Sequence, residues 1–129
     1  MKFHSSSVQL SSSGEEYFQI RFSESEQEDH AYVLLQNSFE FFRGPAYFEC
    51  HDLDLAGQGR VMCCELRPAS LEIDVTESSE HITVNFNEPD EKVGNIAWIL
   101  RIILDENVSF VNSSEIPEIP IEDEDAEDF

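Results

Sequence analysis

Basic side chains are scarce in this chain. Seven Lys+Arg stand against 28 Asp+Glu, a formal charge of −21 on 129 residues. A field of that sign repels nucleic acid, anionic lipid and acidic substrates, and attracts a basic partner. Neither nucleic-acid nor membrane partners are expected. The same charge also keeps a protein soluble, and charge alone does not separate the two uses. It is unevenly spread: Glu115 to Phe129 hold eight acids and no base, leaving −13 on the rest.

Cysteine is also rare, with only Cys50, Cys63 and Cys64. An odd count without framework spacing fits free thiols in a reducing cytosol, so a cytoplasmic location is expected. Long hydrophobic runs are missing. The longest, Ile96 to Leu104, is nine residues and is interrupted by Arg101, too short to span a bilayer. Met1-Lys2-Phe3-His4-Ser5 has no apolar core of a signal peptide.

Glycine is sparse and clusters once, at Gly57-Gln58-Gly59. That run lacks the third glycine of a dinucleotide fingerprint and the Lys-Ser/Thr of a phosphate loop. A tight turn with positive φ is the reading that remains. His51 beside Cys50, with Cys63-Cys64 ahead, lacks the paired spacing of a zinc site. The four histidines show no nucleophile context, and an acidic field raises thiol pKa. Asp52 and Asp54 have no EF-hand spacing, and no carboxylate pair stands out among so many. These acids are solvated loop or are offered to a partner. No enzyme activity, cofactor or metal is expected.

What is present is enough to fold: 40% hydrophobic residues, with ten Phe among them. Phe18, Ile20 and Phe22 alternate with Gln19 and Arg21, the period of a half-buried strand. Glu24 to Asp29 follows as a solvated loop. Ala31 to Gln36 is apolar on both faces and suits a central strand, with Phe39 and Phe41 as a short continuation. Gly44-Pro45 turns the chain, and Ala46–Cys50 and Val61–Leu66 are further strands on either side of the 52–59 loop. Leu71, Ile73 and Val75, then Ile82, Val84 and Phe86, form the clearest hairpin. After Pro89, with acids in the first turn, Val93, Ile96, Ala97, Leu100, Ile103 and Leu104 recur at helical spacing. The order predicts an α+β domain over 1–112, a mostly antiparallel β-sheet packed against one C-terminal α-helix. Residues 113–129, rich in acid and proline, read as a mobile tail.

The segment Tyr32-Val33-Leu34-Leu35-Gln36-Asn37-Ser38-Phe39-Glu40-Phe41, then Tyr47-Phe48-Glu49, then Gly57-Gln58-Gly59, resembles the immunity protein 10 family of bacterial polymorphic toxin systems. The likeness runs from about residue 17 to 104. Its more specific part is Leu35-Gln36-Asn37-Ser38-Phe39-Glu40-Phe41. The chain departs from the family after the glycines, where Arg60-Val61-Met62-Cys63-Cys64 follows, and in its acidic tail. The resemblance implies an α+β, non-enzymatic antidote that binds a cognate toxin domain, with Asp52 or Asp54 as an aspartate of interest. A toxin that holds phosphate is basic, and an acidic antidote reaches it quickly by steering. Expected partner-binding residues are Glu40, Phe42, Asp52, Asp54, Gln58 and Arg60, with the outer face of the hairpin (Glu72, Asp74, Thr83) as the alternative surface. The rival readings are an acidic protein-binding or nucleic-acid-mimicking regulatory module and a small hydrolase.

Overall fold

A computed structural model describes residues 1–13, 17–25, 30–38, 44–76 and 80–121. The chain is α+β, as the strand-then-helix order predicts. Among the described residues the strands form two sheets, each of five strands.

The first sheet contains β1 (Lys2–His4), β7 (Val61–Arg67), β8 (Ser70–Val75), β9 (His81–Asn85) and β10 (Ser109–Asn112), in the order β1-β9-β8-β7-β10. The predicted hairpin is its centre, with Leu71 opposite Val84 and Ile73 opposite Ile82. Both edges are added in parallel, β1 on β9 and β10 on β7. The second sheet is antiparallel throughout: β2 (Ser7–Ser13), β3 (Tyr17–Ser23), β4 (Tyr32–Ser38), β5 (Tyr47–Cys50) and β6 (Gly57–Gln58), in chain order. The central place of β4 explains why Val33, Leu34 and Leu35 are all buried.

Ser5 is where the chain leaves one sheet for the other. Its N–H donates to the Asn85 carbonyl at 2.6 Å, and its hydroxyl donates to Ser7 and Ser23 carbonyls. The residue is 3% exposed, so these bonds satisfy polar atoms that water does not reach.

The helix α1 (Asp90–Ile103) begins after Pro89, with Asp90 and Glu91 in the first turn, where the helix dipole favours acid. It packs against β3 and β4. Phe18 meets Trp98 edge-on at 5.9 Å, and Phe22 stacks on Phe86 at 6.0 Å. One continuous cluster of buried residues joins both sheets and the helix. Asn37 ties the last turn down: its Nδ2 donates to the carbonyls of Ile103 (2.9 Å) and Gly44 (3.0 Å).

The expectation of a mobile segment from residue 113 is corrected over 113–121. That stretch docks on the helix. Ile119 N–H donates to the Gly94 carbonyl at 3.0 Å, and Asn95 Nδ2 donates to the Ile119 carbonyl at 2.8 Å. Arg101 pairs with Glu118 at 3.0 Å, and Ile121 is 9% exposed. Isoleucines spaced among the acids and prolines supply apolar surface, and Gly94 gives them a notch in the helix. Residues 122–129 lie outside the described part, as do 26–29 of the acidic loop and the Phe39–Phe41 continuation.

Candidate partner-binding surface

The loop after β5 carries the predicted aspartates. Leu53–Leu55 forms one turn of 3-10 helix, with Asp52 as its N-cap. The Asp52 Oδ1 accepts from the Asp54 N–H at 3.2 Å, a short polar side chain satisfying an otherwise unpaired donor. Leu55 is buried and anchors the turn in the core. Arg60 Nε donates to the Leu55 carbonyl at 3.2 Å, and the Cys50 thiol to the Asp52 carbonyl at 3.3 Å. The turn is therefore tied at both ends. Gly59, at φ +69, has the backbone conformation expected of the glycine turn, and its N–H reaches the Ala46 carbonyl.

On this scaffold His51, Asp52, Leu53 and Asp54 all face solvent. Leu53 is 66% exposed, the most exposed of the large apolar side chains among the described residues. It is an apolar knob between two carboxylates. Tyr32 and Phe3 flank the base of the turn through His51, at ring distances of 6.4 and 6.2 Å.

The structure thus brings Asp52, Asp54 and Arg60 to one turn, with Arg60 bracing it. Gln58 lies apart from them, on β6 opposite Tyr47, at the outer face of the second sheet. Glu40 and Phe42 lie outside the described residues. Leu53 is the residue that sequence reasoning missed. A leucine between two aspartates fits the pattern of an ordinary loop, and its exposure follows only from the turn pointing Leu55 inward instead.

The alternative surface, the hairpin's outer face, is already engaged. His81 Nδ1 lies 2.6 Å from Asp74 Oδ1, and its Nε2 lies 2.8 Å from Glu72 Oε1. Thr83 donates a further bond to Glu72 at 2.8 Å. The contact with Asp74, then that with Glu72, holds the His81 pKa above its ordinary value of 6.5. Burial pushes Glu72 up, but hydrogen bonds from His81, Thr83 and Ser70 outweigh it, and its pKa is lowered.

The second sheet has its own acceptor. Glu49 takes the hydroxyls of Tyr32 at 2.6 Å and Tyr47 at 2.7 Å. Those bonds, Tyr32 first, hold its pKa below the usual 4.5. Burial, then the bond to Glu49, raises Tyr32 to about 12.

These shifts fix a pH dependence. The share of stability owed to His81 is complete below its unfolded value and is lost as pH rises through the raised one. The shares owed to Glu49 and Glu72 are complete above their unfolded values and are lost as pH falls through the lowered ones. All three are present together only in mild acid, roughly pH 5 to 6.5. Thermal melts are expected to show a higher Tm near pH 5.5 than near pH 8, by a few degrees at most because His81 is half exposed. His81→Gln should flatten the difference.

Among the described residues, no His, Cys, Asp and Glu are grouped to hold a metal ion, and no helix is long and apolar enough to cross a membrane. The fold and surface define an acidic α+β protein of two sheets with a rigid, acid-flanked apolar turn. In comparisons with protein-family models, curated proteins and solved structures, nothing matches this chain.

Proposed function

We propose that this chain is a non-enzymatic inhibitor that binds a basic protein, in the manner of an immunity protein neutralising its cognate toxin. The observation that carries the reading is Leu53, 66% exposed between Asp52 and Asp54 on a turn fixed by hydrogen bonds. Interface hot spots combine an apolar anchor with charges that become desolvated around it. A pre-formed turn loses little entropy on binding. The net charge of −21 adds steering toward a basic surface.

None of the shifted carboxylates and thiols is tuned as a general acid or an activated nucleophile. Glu49 and Glu72 both move down, toward stable carboxylates and away from proton donors at neutral pH. Burial raises the Cys50 and Cys64 thiols, the opposite of an activated nucleophile.

The test is a titration against the toxin domain that this reading expects to be encoded beside the chain's gene. Association should slow severalfold from low to physiological salt, with little change in dissociation. Asp52→Asn with Leu53→Ser and Asp54→Asn keeps the cap, since Asn accepts the same bond, while removing the knob and two charges. Affinity is expected to fall roughly 100-fold or more, with circular dichroism unchanged. Equal affinity in the folded variant removes this turn from the interface. No binding to the neighbouring toxin by the unaltered chain overturns the reading.

A further inference from the structure

Strand β10 closes the first sheet on the side away from β1, and its one strand neighbour is β7. A single bond fixes which of its main-chain groups that neighbour takes. Ser113 N–H donates to the Leu66 carbonyl at 2.7 Å, one step beyond the pairing of Asn112 with Leu66. In a parallel ladder every second residue of a strand turns both its N–H and its C=O to the same neighbour. Ser109 and Val111 therefore face β7, as Ser113 does. Phe110 and Asn112 face the other way, and among the described residues their main-chain groups have no partner. Natural edge strands are commonly blunted by charge, proline or a bulge, because open groups of this kind recruit another strand. Ser109-Phe110-Val111-Asn112 carries none of the three.

The open edge borders a cavity of about 640 Å³ at the C-terminal end of α1, and Phe110 belongs to both. Pro45, Leu104 and Val108 supply further apolar wall. The charge of the cavity is negative. Arg101 is already neutralised, stacked 4.7 Å over the Phe110 ring and paired with Glu118 at 3.0 Å. Asp105 accepts from the N–H and Nδ2 of Asn107, neutral donors that leave its charge in place. Glu106 is exposed and makes no bond or ion pair among the described residues. Apolar wall beside two carboxylates fits lysine or arginine, whose stem packs on carbon while its charged end reaches acid.

We propose that β10 takes an extended basic segment of another protein as an added strand, with one lysine or arginine of that segment seated in the cavity beside Asp105 and Glu106. The N–H and C=O of Phe110 and of Asn112, about 6.6 Å apart along the strand, give affinity whatever the sequence, and the cavity selects a base. The chain's charge of −21 draws such a segment and turns an acidic one away. This surface is separate from the turn at Leu53. That turn stands beside Phe3 of β1 through His51, at the opposite edge of the same sheet.

The probe is a synthetic heptapeptide of alternating lysine and threonine, acetylated and amidated at its ends, titrated into the full chain at physiological salt. A Kd of roughly 10–100 µM is expected for so small a contact. The same peptide with glutamate for lysine should bind roughly tenfold more weakly or worse. Charge attraction alone would give both results, so three further arms isolate the site. The lysine peptide N-methylated at every residue keeps its charge but cannot donate to a ladder, and its affinity should also fall roughly tenfold. Bound peptide should slow hydrogen exchange at the Phe110 and Asn112 amides and leave Val111 and Ser113, already bonded to β7, as they were. Glu106→Lys should weaken binding roughly tenfold, while Glu91→Lys, the same charge change in the first turn of α1, should leave it within about twofold. Both variants should melt close to the unaltered chain.

No binding of the lysine peptide at roughly 1 mM overturns the proposal. So does equal affinity for the N-methylated peptide, unchanged exchange at Phe110 and Asn112 in the bound state, or full affinity in folded Glu106→Lys. None of these arms uses a toxin, so this proposal and the inhibitor reading fail separately.

Discussion

Leu100→Ala is expected to destabilise the protein by roughly 2–5 kcal/mol, the range for a fully buried leucine replaced by alanine. Leu100 is 0% exposed, in the last turn of α1 and inside the cluster that joins both sheets. Two terms add: the apolar transfer energy of the lost carbons, and a cavity that β-sheet neighbours on a hydrogen-bonded frame fill poorly. The helix itself is not the weak term, since alanine is the best helix former, so any loss reports packing. The total stability of a domain this size is about 5–15 kcal/mol, so the variant sits near the edge of folding at 37 °C. The measurement is the midpoint of urea unfolding with an unchanged slope. A midpoint that barely moves would mean that Leu100 does not contribute to the core.

That residue is legible in the sequence, and so is most of the fold around it. Strands β3, β5, β7, β8 and β9 and the helix each carry a periodic apolar pattern that burial enforces, because in a strand a one-residue slip would turn every inward side chain to water, and β4 carries a run that is apolar on both faces. The edges are not legible. Val8 and Leu10 do alternate with Ser7, Gln9 and Ser11, but a signal of two residues in a serine-rich run is weak. Lys2–His4 and Ser109–Asn112 are short, and they exist as strands only because β9 and β7 offer them a parallel ladder. Local propensity has no access to that. The division into two sheets is likewise a matter of which strand finds which neighbour, and Ser5 marks the parting without any motif. At the candidate site, Asp52 and Asp54 are legible as acids in an irregular loop. The roles of Leu53 as outward knob and Arg60 as brace depend on the turn's direction, which follows from Leu55 reaching the core.

Gly94→Ala is the substitution for which helix propensity and packing predict opposite signs. In an exposed helix interior the change gains about 1 kcal/mol. Here Gly94 is the notch under residues 117–119. A methyl group built on it lies 2.5 Å from Ile119 Cδ1, 2.6 Å from Ile119 Cγ1 and 2.9 Å from the Pro117 carbonyl oxygen. The isoleucine can rotate, but the Pro117 carbonyl is main chain, so the segment must lift. Lifting stretches the Ile119 N–H bond to the Gly94 carbonyl and the Asn95 bond to the Ile119 carbonyl, and it uncovers Ile121. Overpacking of this kind costs about 1–3 kcal/mol, more than the propensity gain, so a net loss is expected. The sign should reverse in a chain ended after Ser114. With no segment above the notch, alanine keeps its helical advantage, and Gly94→Ala becomes neutral or stabilising in that background. Four urea unfolding curves, with and without the segment and with Gly or Ala at 94, form the cycle. Equal effects of the alanine in both backgrounds would mean that residues 117–119 do not rest on the helix in solution.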